Sequence, residues 1–109
     1  MTDTITTEQI LDIERNQQVP LYAKRDIALV RGEGSYVWDA EGNRYLDMTA
    51  GIAVCCLGHA HPKLTEAIAT QASKLLHVSN LYFVEEQIKL ANKLCSLSFA
   101  DRAFFCNSG

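Results

Sequence analysis

Potential metal ligands are concentrated in one short segment, where Cys55, Cys56, His59 and His61 lie within seven residues. Structural zinc sites draw their ligands from two separated pairs with a longer loop between them. Four ligands this close together along the chain can hardly surround one ion tetrahedrally. We therefore predict no metal site here. The segment is interpreted as a tight turn at Gly58 before a helix, with the histidines capping that helix or hydrogen-bonding the backbone.

A second candidate site lies at the end of the sequence, where residues 102–106 have the pattern of a short buried strand and Asn107, Ser108 and Gly109 follow. Strands of α/β proteins enter phosphate-binding turns in this way, and the helix after such a turn offers free N–H groups to an anion. Ser108 would donate its hydroxyl and backbone N–H to a phosphate. A nucleophilic role is disfavoured because no G-x-S-x-G elbow surrounds it.

Tyrosines are candidates for substrate contacts. Tyr22 and Tyr82 lie in irregular segments, where an aromatic ring with a polar tip is often functional. Tyr36 and Tyr45 lie in strand patterns and are interpreted as packing residues.

Two further pairs of residues indicate local structure. Gly32 and Gly34 resemble part of a dinucleotide fingerprint, but they lie between strand patterns and open no helix, so they predict a hairpin corner. Asp39 and Asp47 flank a turn cluster and are expected to make local caps or salt bridges.

The elements that must position these residues begin with a short helix, since Thr6 and Gln9 have the spacing of a capping box and Pro20 ends the pattern. Period-two alternation predicts a β-meander over residues 27–47, with Trp38 as its largest apolar anchor. Residues 51–58 are small and apolar, which fits a buried strand or a packed loop.

Two helices are expected in the second half of the sequence. Pro62 is suited to the first position of a helix, where the missing N–H does no harm. A second helix is predicted over residues 84–97, where Glu85 and Lys89 have the spacing of an ion pair. Their apolar stripes are Leu64, Ile68, Ala72 and Leu75 in the first, and Val84, Ile88, Ala91 and Cys95 in the second.

Composition limits the classes of protein. The 109 residues are 48% hydrophobic with a net charge of −3, which argues against disorder. No apolar run approaches the roughly 18 residues of a membrane span, and no basic stripe suits nucleic acid. The polar, acidic start does not resemble a secretory signal, so we expect reduced cysteines and a cytoplasmic location.

Three stretches, in order and at matching spacing, closely resemble the N-terminal part of class III aminotransferases: GIAV with LGHAHP, then HVSNLY, then FFCNSG. The resemblance covers about residues 17–109. It implies an α/β chain, the N-terminal portion of the PLP-dependent transferase fold type I. Residues 1–50 would form an N-terminal arm and the small-domain β-meander. Residues 51–109 would form the helices and first strand of the large PLP-binding domain, truncated within the phosphate-binding motif.

The resemblance also implies an activity. The most similar members transfer the δ-amino group of N-acetylornithine to 2-oxoglutarate in arginine biosynthesis, as homodimers with pyridoxal 5'-phosphate as cofactor. Ser108 and Gly109 match the start of the cofactor-phosphate motif, and Tyr22 matches a tyrosine that contacts the substrate carboxylate. Ile52 matches a pocket position that is tyrosine in ornithine-δ-aminotransferases, which argues against ornithine as substrate. The loop near the dimer interface and active site corresponds to Ser79, Asn80, Leu81 and Tyr82.

None of the lysines matches the family's Schiff-base motif, so the 109-residue chain is expected to be inert by itself. Other interpretations stay open: a fragment acting only by association or dimerisation, a metal or redox module, or a class III aminotransferase for succinylornithine, succinyl-diaminopimelate, ornithine or 4-aminobutyrate. Because the apolar faces lack most of their partners, we also expect marginal stability or self-association.

Overall fold

The computed structural model describes residues 5–108, which divide into two compact units, one ending at Thr70 and one beginning at Gln71. The elements in chain order are α1 (Thr7–Gln17), β1 (Leu29–Glu33), β2 (Tyr36–Asp39), β3 (Arg44–Leu46), the short helical turn α2 (Ala50–Ala53), α3 (Pro62–Ala72), a 3-10 turn (Ser79–Leu81) and α4 (Glu85–Leu97). The predicted domain boundary at residues 50 and 51 stays a prediction.

Helix α1 begins as the capping box predicts. The Thr6 hydroxyl accepts a hydrogen bond from the Gln9 N–H at 3.3 Å, and the Gln9 side chain accepts one from the Thr6 N–H at 3.0 Å. A more distant cap comes from Glu41, whose carboxylate accepts from the Thr7 N–H and hydroxyl at 2.9 and 2.6 Å. These bonds lower the pKa of Glu41. They also tie the start of α1 to the turn between β2 and β3.

The predicted meander is confirmed as an antiparallel sheet in the order β1-β2-β3. Asp39 ends β2 and is buried, and its carboxylate accepts hydrogen bonds from the Asn43 N–H at 2.7 Å, the Asn43 amide at 2.9 Å and the Tyr45 hydroxyl at 2.7 Å. The bond from the Asn43 side chain is the main reason that the pKa of Asp39 is lowered. The predicted local cap at Asp39 is therefore confirmed.

The prediction that Trp38 anchors the meander is wrong. Adjacent strand residues point to opposite faces, and the buried apolar residues of the described chain are Ala28 and Val37. Trp38 is half-buried on the other face, where the Arg31 guanidinium lies 3.6 Å from its ring centroid in a cation–π contact. The small side chains form the core because they occupy the face that the chain covers.

Two of the predicted elements do not form. Residues 51–58 are mostly exposed, and positive φ angles at Gly51 and Ile52 exclude a strand there. The sequence prediction of a buried strand or packed loop is therefore wrong. Residues 102–106 also form no strand, because no other segment within residues 5–108 supplies a neighbour to hydrogen-bond with it.

The two longer helices of the second half are confirmed, although α3 ends at Ala72, before Leu75 of its predicted stripe. Pro62 occupies the first position of α3, and α4 begins at Glu85, one residue later than predicted. Lys89 pairs with Glu85 at 2.8 Å and Glu86 at 3.0 Å, which raises the pKa of Lys89. None of the described residues of α3 or α4 is buried. Within residues 5–108, no helix is both long and apolar enough to cross a bilayer.

Large apolar side chains lie mainly at the surface. Phe83, Phe99 and Phe104 are 95%, 100% and 88% exposed, and no side chain in the described part of the chain is fully buried. Burial of apolar area is the main favourable term in folding, at about 25 cal/mol per Å². The predicted shortage of packing partners is therefore visible in both units.

We expect the purified 109-residue chain to self-associate and to unfold without a cooperative transition, because its apolar side chains lack partners. Light scattering after gel filtration and a calorimetric melt measure both properties. The variant Phe99→Ser should reduce the associated fraction, since Phe99 is fully exposed. A monomer with a sharp melt would contradict the expectation.

Candidate functional site

The candidate site is built around Asp47, which directly follows β3. Its Oδ1 accepts three hydrogen bonds, from the Thr49 N–H at 2.9 Å, the Thr49 hydroxyl at 2.8 Å and the Ala50 N–H at 2.9 Å. A single carboxylate oxygen thereby binds the donors at the start of α2. The predicted local cap at Asp47 is confirmed.

The second oxygen of Asp47 is held from the other side of the segment. His59 Nε2 lies 2.7 Å from Asp47 Oδ2, and the two side chains are only 25% and 12% exposed. This bond is the main cause that lowers the pKa of Asp47, followed by the backbone N–H of Ala50. Asp47 is therefore a carboxylate at neutral pH with both oxygens engaged.

His59 is itself fixed to the β1–β2 turn. The Gly34 N–H donates to the His59 carbonyl at 3.0 Å, and the His59 N–H donates to the Gly34 carbonyl at 2.8 Å. A Cβ on Gly32 would lie 2.6 Å from His59 Cβ, so only glycine leaves room for this ring. The predicted hairpin corner is confirmed for Gly34, which lies in the turn between β1 and β2, whereas Gly32 lies within β1 and pairs with Val37. Gly32 also leaves space for the His59 ring, and Gly34 pairs with the His59 backbone. No local pattern in the sequence indicates these roles.

The turn that Asp47 caps has an unusual backbone. Ala50, Gly51, Ile52 and Ala53 have φ of +47°, +63°, +60° and +62°. L-residues in the left-handed helical region cost roughly 1–2 kcal/mol each, and a β-branched residue such as Ile52 is a clear outlier there. Such backbone persists only where the surroundings enforce it. The Ile52 side chain, 93% exposed, makes no compensating burial.

Tyr22 lines a cleft in the first unit that Asp47 and Thr49 of the candidate site also line. The cleft has a volume of about 850 Å³ and includes Tyr22, Val37, Met48 and Thr49 among its lining residues. Ile52 does not line it. The two substrate-contact residues implied by the resemblance, Tyr22 and Ile52, are therefore both exposed but do not share this cleft.

The predicted loop near the interface lies in the second unit. Its residues are all exposed, with Leu81 and Tyr82 at 80% and 70%. Ser79 begins the 3-10 turn with a φ of +61°. The loop therefore presents apolar and aromatic surface, as an interface segment does.

The predicted phosphate-binding end is only partly within the described residues, because Gly109 lies outside them. Ser108 is exposed, and its carbonyl accepts a hydrogen bond from the Cys106 thiol at 2.9 Å. The Ser108 hydroxyl and N–H remain on a small polar turn, and these donors fit a phosphate group.

The cysteine and histidine segment does not assemble a metal site. Among residues 5–108, no three side chains of histidine, cysteine, aspartate or glutamate come together closely enough to hold an ion. All four cysteines are free thiols. His59 hydrogen-bonds the backbone of Gly34 through its own N–H and carbonyl, and its ring binds Asp47. His61 Nδ1 is buried and has no hydrogen-bond partner in the described part of the chain.

Comparison with known proteins identifies the family. Residues 20–109 match the family model described as aminotransferase class-III. The chain belongs to the class III aminotransferase family. This also confirms the sequence-based prediction of the family, whose members depend on pyridoxal 5'-phosphate.

Individual class III relatives are similar over most of this chain. An acetylornithine aminotransferase of Methanocaldococcus jannaschii is 49% identical over 96% of the chain, and one of Synechocystis sp. is 57% identical over 81%. This chain covers 26% and 20% of those proteins. It therefore spans about a quarter of the length of the relatives it matches.

Solved structures of the family confirm the predicted fold class. The acetylornithine aminotransferase of Elizabethkingia anophelis superposes with a TM-score of 0.86 at 33% identity, covering 91% of this chain and 26% of its own. Ornithine δ-aminotransferase of Plasmodium falciparum gives 0.85 at 26% identity, covering 90% and 26%. The helices and the small antiparallel sheet form an N-terminal portion of this PLP-dependent transferase fold.

Replacing Gly32 with alanine should destabilise the first unit by about 1–3 kcal/mol, because the added Cβ overlaps His59. Urea denaturation of the protein measures the change. The control is Gly42→Asn, since a Cβ on Gly42 would meet no atom within 4 Å and asparagine tolerates its φ of +88°. Equal losses in the two variants would show that the contact with His59 is unimportant.

Proposed function

We propose that this chain is the N-terminal part of an aminotransferase that moves the δ-amino group of N-acetylornithine to 2-oxoglutarate, in arginine biosynthesis. Sequence identity carries the proposal. Relatives named acetylornithine aminotransferase are 48% to 57% identical. Among solved structures, acetylornithine aminotransferases are 33% and 39% identical, whereas the ornithine δ-aminotransferase with a TM-score of 0.85 is 26% identical. Because acetylornithine and ornithine δ-aminotransferases share this backbone fold, the higher sequence identity to the former supports N-acetylornithine as the amino donor.

Pyridoxal 5'-phosphate, when bound, supplies the electron sink for amino transfer. The part of the site that this chain would contribute is a phosphate cradle. Ser108 would donate its hydroxyl and N–H to the phosphate, and Gly109 would let the backbone approach closely. The exposure of Ser108 on a small polar turn supports this role.

Two residues would recognise the substrate. Tyr22 would donate its hydroxyl to a substrate carboxylate, and its side chain is 79% exposed. Ile52 would line the pocket with an apolar surface where ornithine-δ-aminotransferases carry a tyrosine. An apolar wall suits the acetyl group of N-acetylornithine, whereas the free ammonium of ornithine favours a polar partner.

The remaining proposals concern assembly. Ser79, Asn80, Leu81 and Tyr82 would lie near the interface of a cytoplasmic homodimer and close to its active site. The exposed apolar side chains of Leu81 and Tyr82 support this placement. We further propose that residues 1–50 belong to the small domain and 51–109 to the large one.

We infer that the Schiff-base lysine is supplied by sequence outside these 109 residues, because none of the lysines matches its motif. A second candidate function is then association alone, with the chain as an inert partner in an assembly. The extensive exposed apolar surface favours it. Activity assays on the natural-length protein and on the 109-residue chain separate the two candidates.

The natural-length protein with its cofactor should use N-acetylornithine at least about tenfold better in kcat/KM than ornithine, with 2-oxoglutarate as acceptor. Glutamate formation measures both rates. The 109-residue chain should form no glutamate. A preference for ornithine, succinylornithine, succinyl-diaminopimelate or 4-aminobutyrate would replace the proposed donor, and an inactive natural-length protein would favour association alone.

Tyr22→Phe should raise KM about tenfold or more with a smaller change in kcat, because a hydrogen bond to a charged carboxylate is worth about 1.5–3 kcal/mol. Steady-state kinetics on the natural-length protein measure the split. The matched control is Tyr36→Phe, which keeps the ring lying 4.7 Å from the Arg44 guanidinium. Unchanged kinetics in Tyr22→Phe would remove Tyr22 from the site.

A further inference from the structure

We propose that Asp47 is a positioning residue for substrate discrimination. Its carboxylate, held by His59, keeps α2 in the left-handed conformation that presents Ile52. The proposal rests on the proposed function, because Ile52 can select a donor only if the natural-length protein is an aminotransferase. Asp47 itself touches no substrate in this scheme and acts through the backbone of α2.

The left-handed backbone of α2 needs support from residues outside the turn. Three of its four residues carry a Cβ, and all four have positive φ. Its own hydrogen bonds include the Ala53 N–H to the Thr49 carbonyl at 3.0 Å and the Cys55 N–H to the Ala50 carbonyl at 2.9 Å. A turn this short gains too few bonds to offset the unfavourable backbone.

Asp47 supplies this support at the beginning of the turn. Three donors from Thr49 and Ala50 converge on its Oδ1, all within 2.9 Å. They fix the direction in which the chain enters α2. Hydrogen bonds to a charged acceptor are stronger than neutral ones, so the carboxylate is better suited to this task than an amide.

Asp47 is itself held in place by His59. His59 binds its Oδ2 at 2.7 Å, and the backbone of His59 pairs with Gly34 in both directions. The sheet, His59, Asp47 and α2 therefore form one continuous chain of contacts. The lowered pKa of Asp47 means that its negative charge is retained at neutral pH.

The direction of the Ile52 side chain depends on these contacts. Its side chain is 93% exposed, so no packing contact within the described residues holds it in place. Only the backbone of α2 decides where it points. When that backbone relaxes, the apolar wall moves away from the acetyl group, and a donor with that group loses its advantage over one without it.

The test uses the natural-length protein with its cofactor. Asp47→Ala should raise KM for N-acetylornithine and lower the ratio of kcat/KM for N-acetylornithine over ornithine by about tenfold. Asp47→Asn should lower this ratio less than Asp47→Ala does, since the amide oxygen can still accept hydrogen bonds from Thr49 and Ala50. If Asp47→Ala fails to fold, the ratio measured for Asp47→Asn tests the proposal.

The matched control is Asp39→Asn. Asp39 lies in the same meander and also accepts three hydrogen bonds, but from Asn43 and Tyr45 rather than from α2. This variant should lower the melting temperature while the ratio between donors stays at its original value. If Asp39→Asn lowers the ratio as much as Asp47→Asn, the effect of Asp47 is general destabilisation and the proposal is wrong.

A crystal structure of the Asp47 variant gives a readout that does not depend on activity. Ile52 should leave the left-handed region, with φ changing from +60° to a negative value. If Ile52 keeps its positive φ, the proposal is overturned whatever the kinetics show. A wild-type protein with no preference between donors would instead contradict the proposed function, while the Ile52 backbone still reports on Asp47.

Discussion

The contact between His59 Nε2 and Asp47 Oδ2, 2.7 Å long, joins parts of the first unit that are distant in sequence. One partner is fixed to the β1–β2 turn through Gly34, and the other caps α2. Both ends depend on small or short side chains. The ring needs the missing side chain of Gly32, and the three donors at α2 need an acceptor oxygen on a short stem, where a carboxylate accepts more strongly than an amide. Residues 47–59 run between the two ends of this contact.

Exposed apolar surface is the second constraint on the molecule. Among residues 5–108, the buried apolar residues are the small Ala28 and Val37, while large side chains such as Phe99 and Phe104 lie in solvent. A sheet of three short strands is marginal without a layer packed on its face. The relatives are about four to five times as long, since this chain covers 20% to 26% of them. These surfaces are therefore suited to contacts with further protein surface.

Local signals predicted the regular elements well. The capping box at Thr6, the alternation in the meander and the proline at the start of α3 each act over a few residues, so they can be read without knowing the fold. Predictions that depended on neighbours were wrong. Trp38 has the size of a core residue but lies on the open face. Residues 102–106 have the composition of a buried strand, but none of residues 5–108 forms a strand that pairs with them.

The sequence by itself determined the family, because GIAV, LGHAHP, HVSNLY and FFCNSG are specific in order and spacing. It also indicated that Asp47 would make a local cap. Only the tertiary structure decided that His59 is its partner and that Ile52 lies in a left-handed turn. Hydrophobic periodicity and propensity report the preference of a residue for helix or strand. A backbone that opposes such preferences is enforced by contacts between distant residues, and those exist only once the chain is folded.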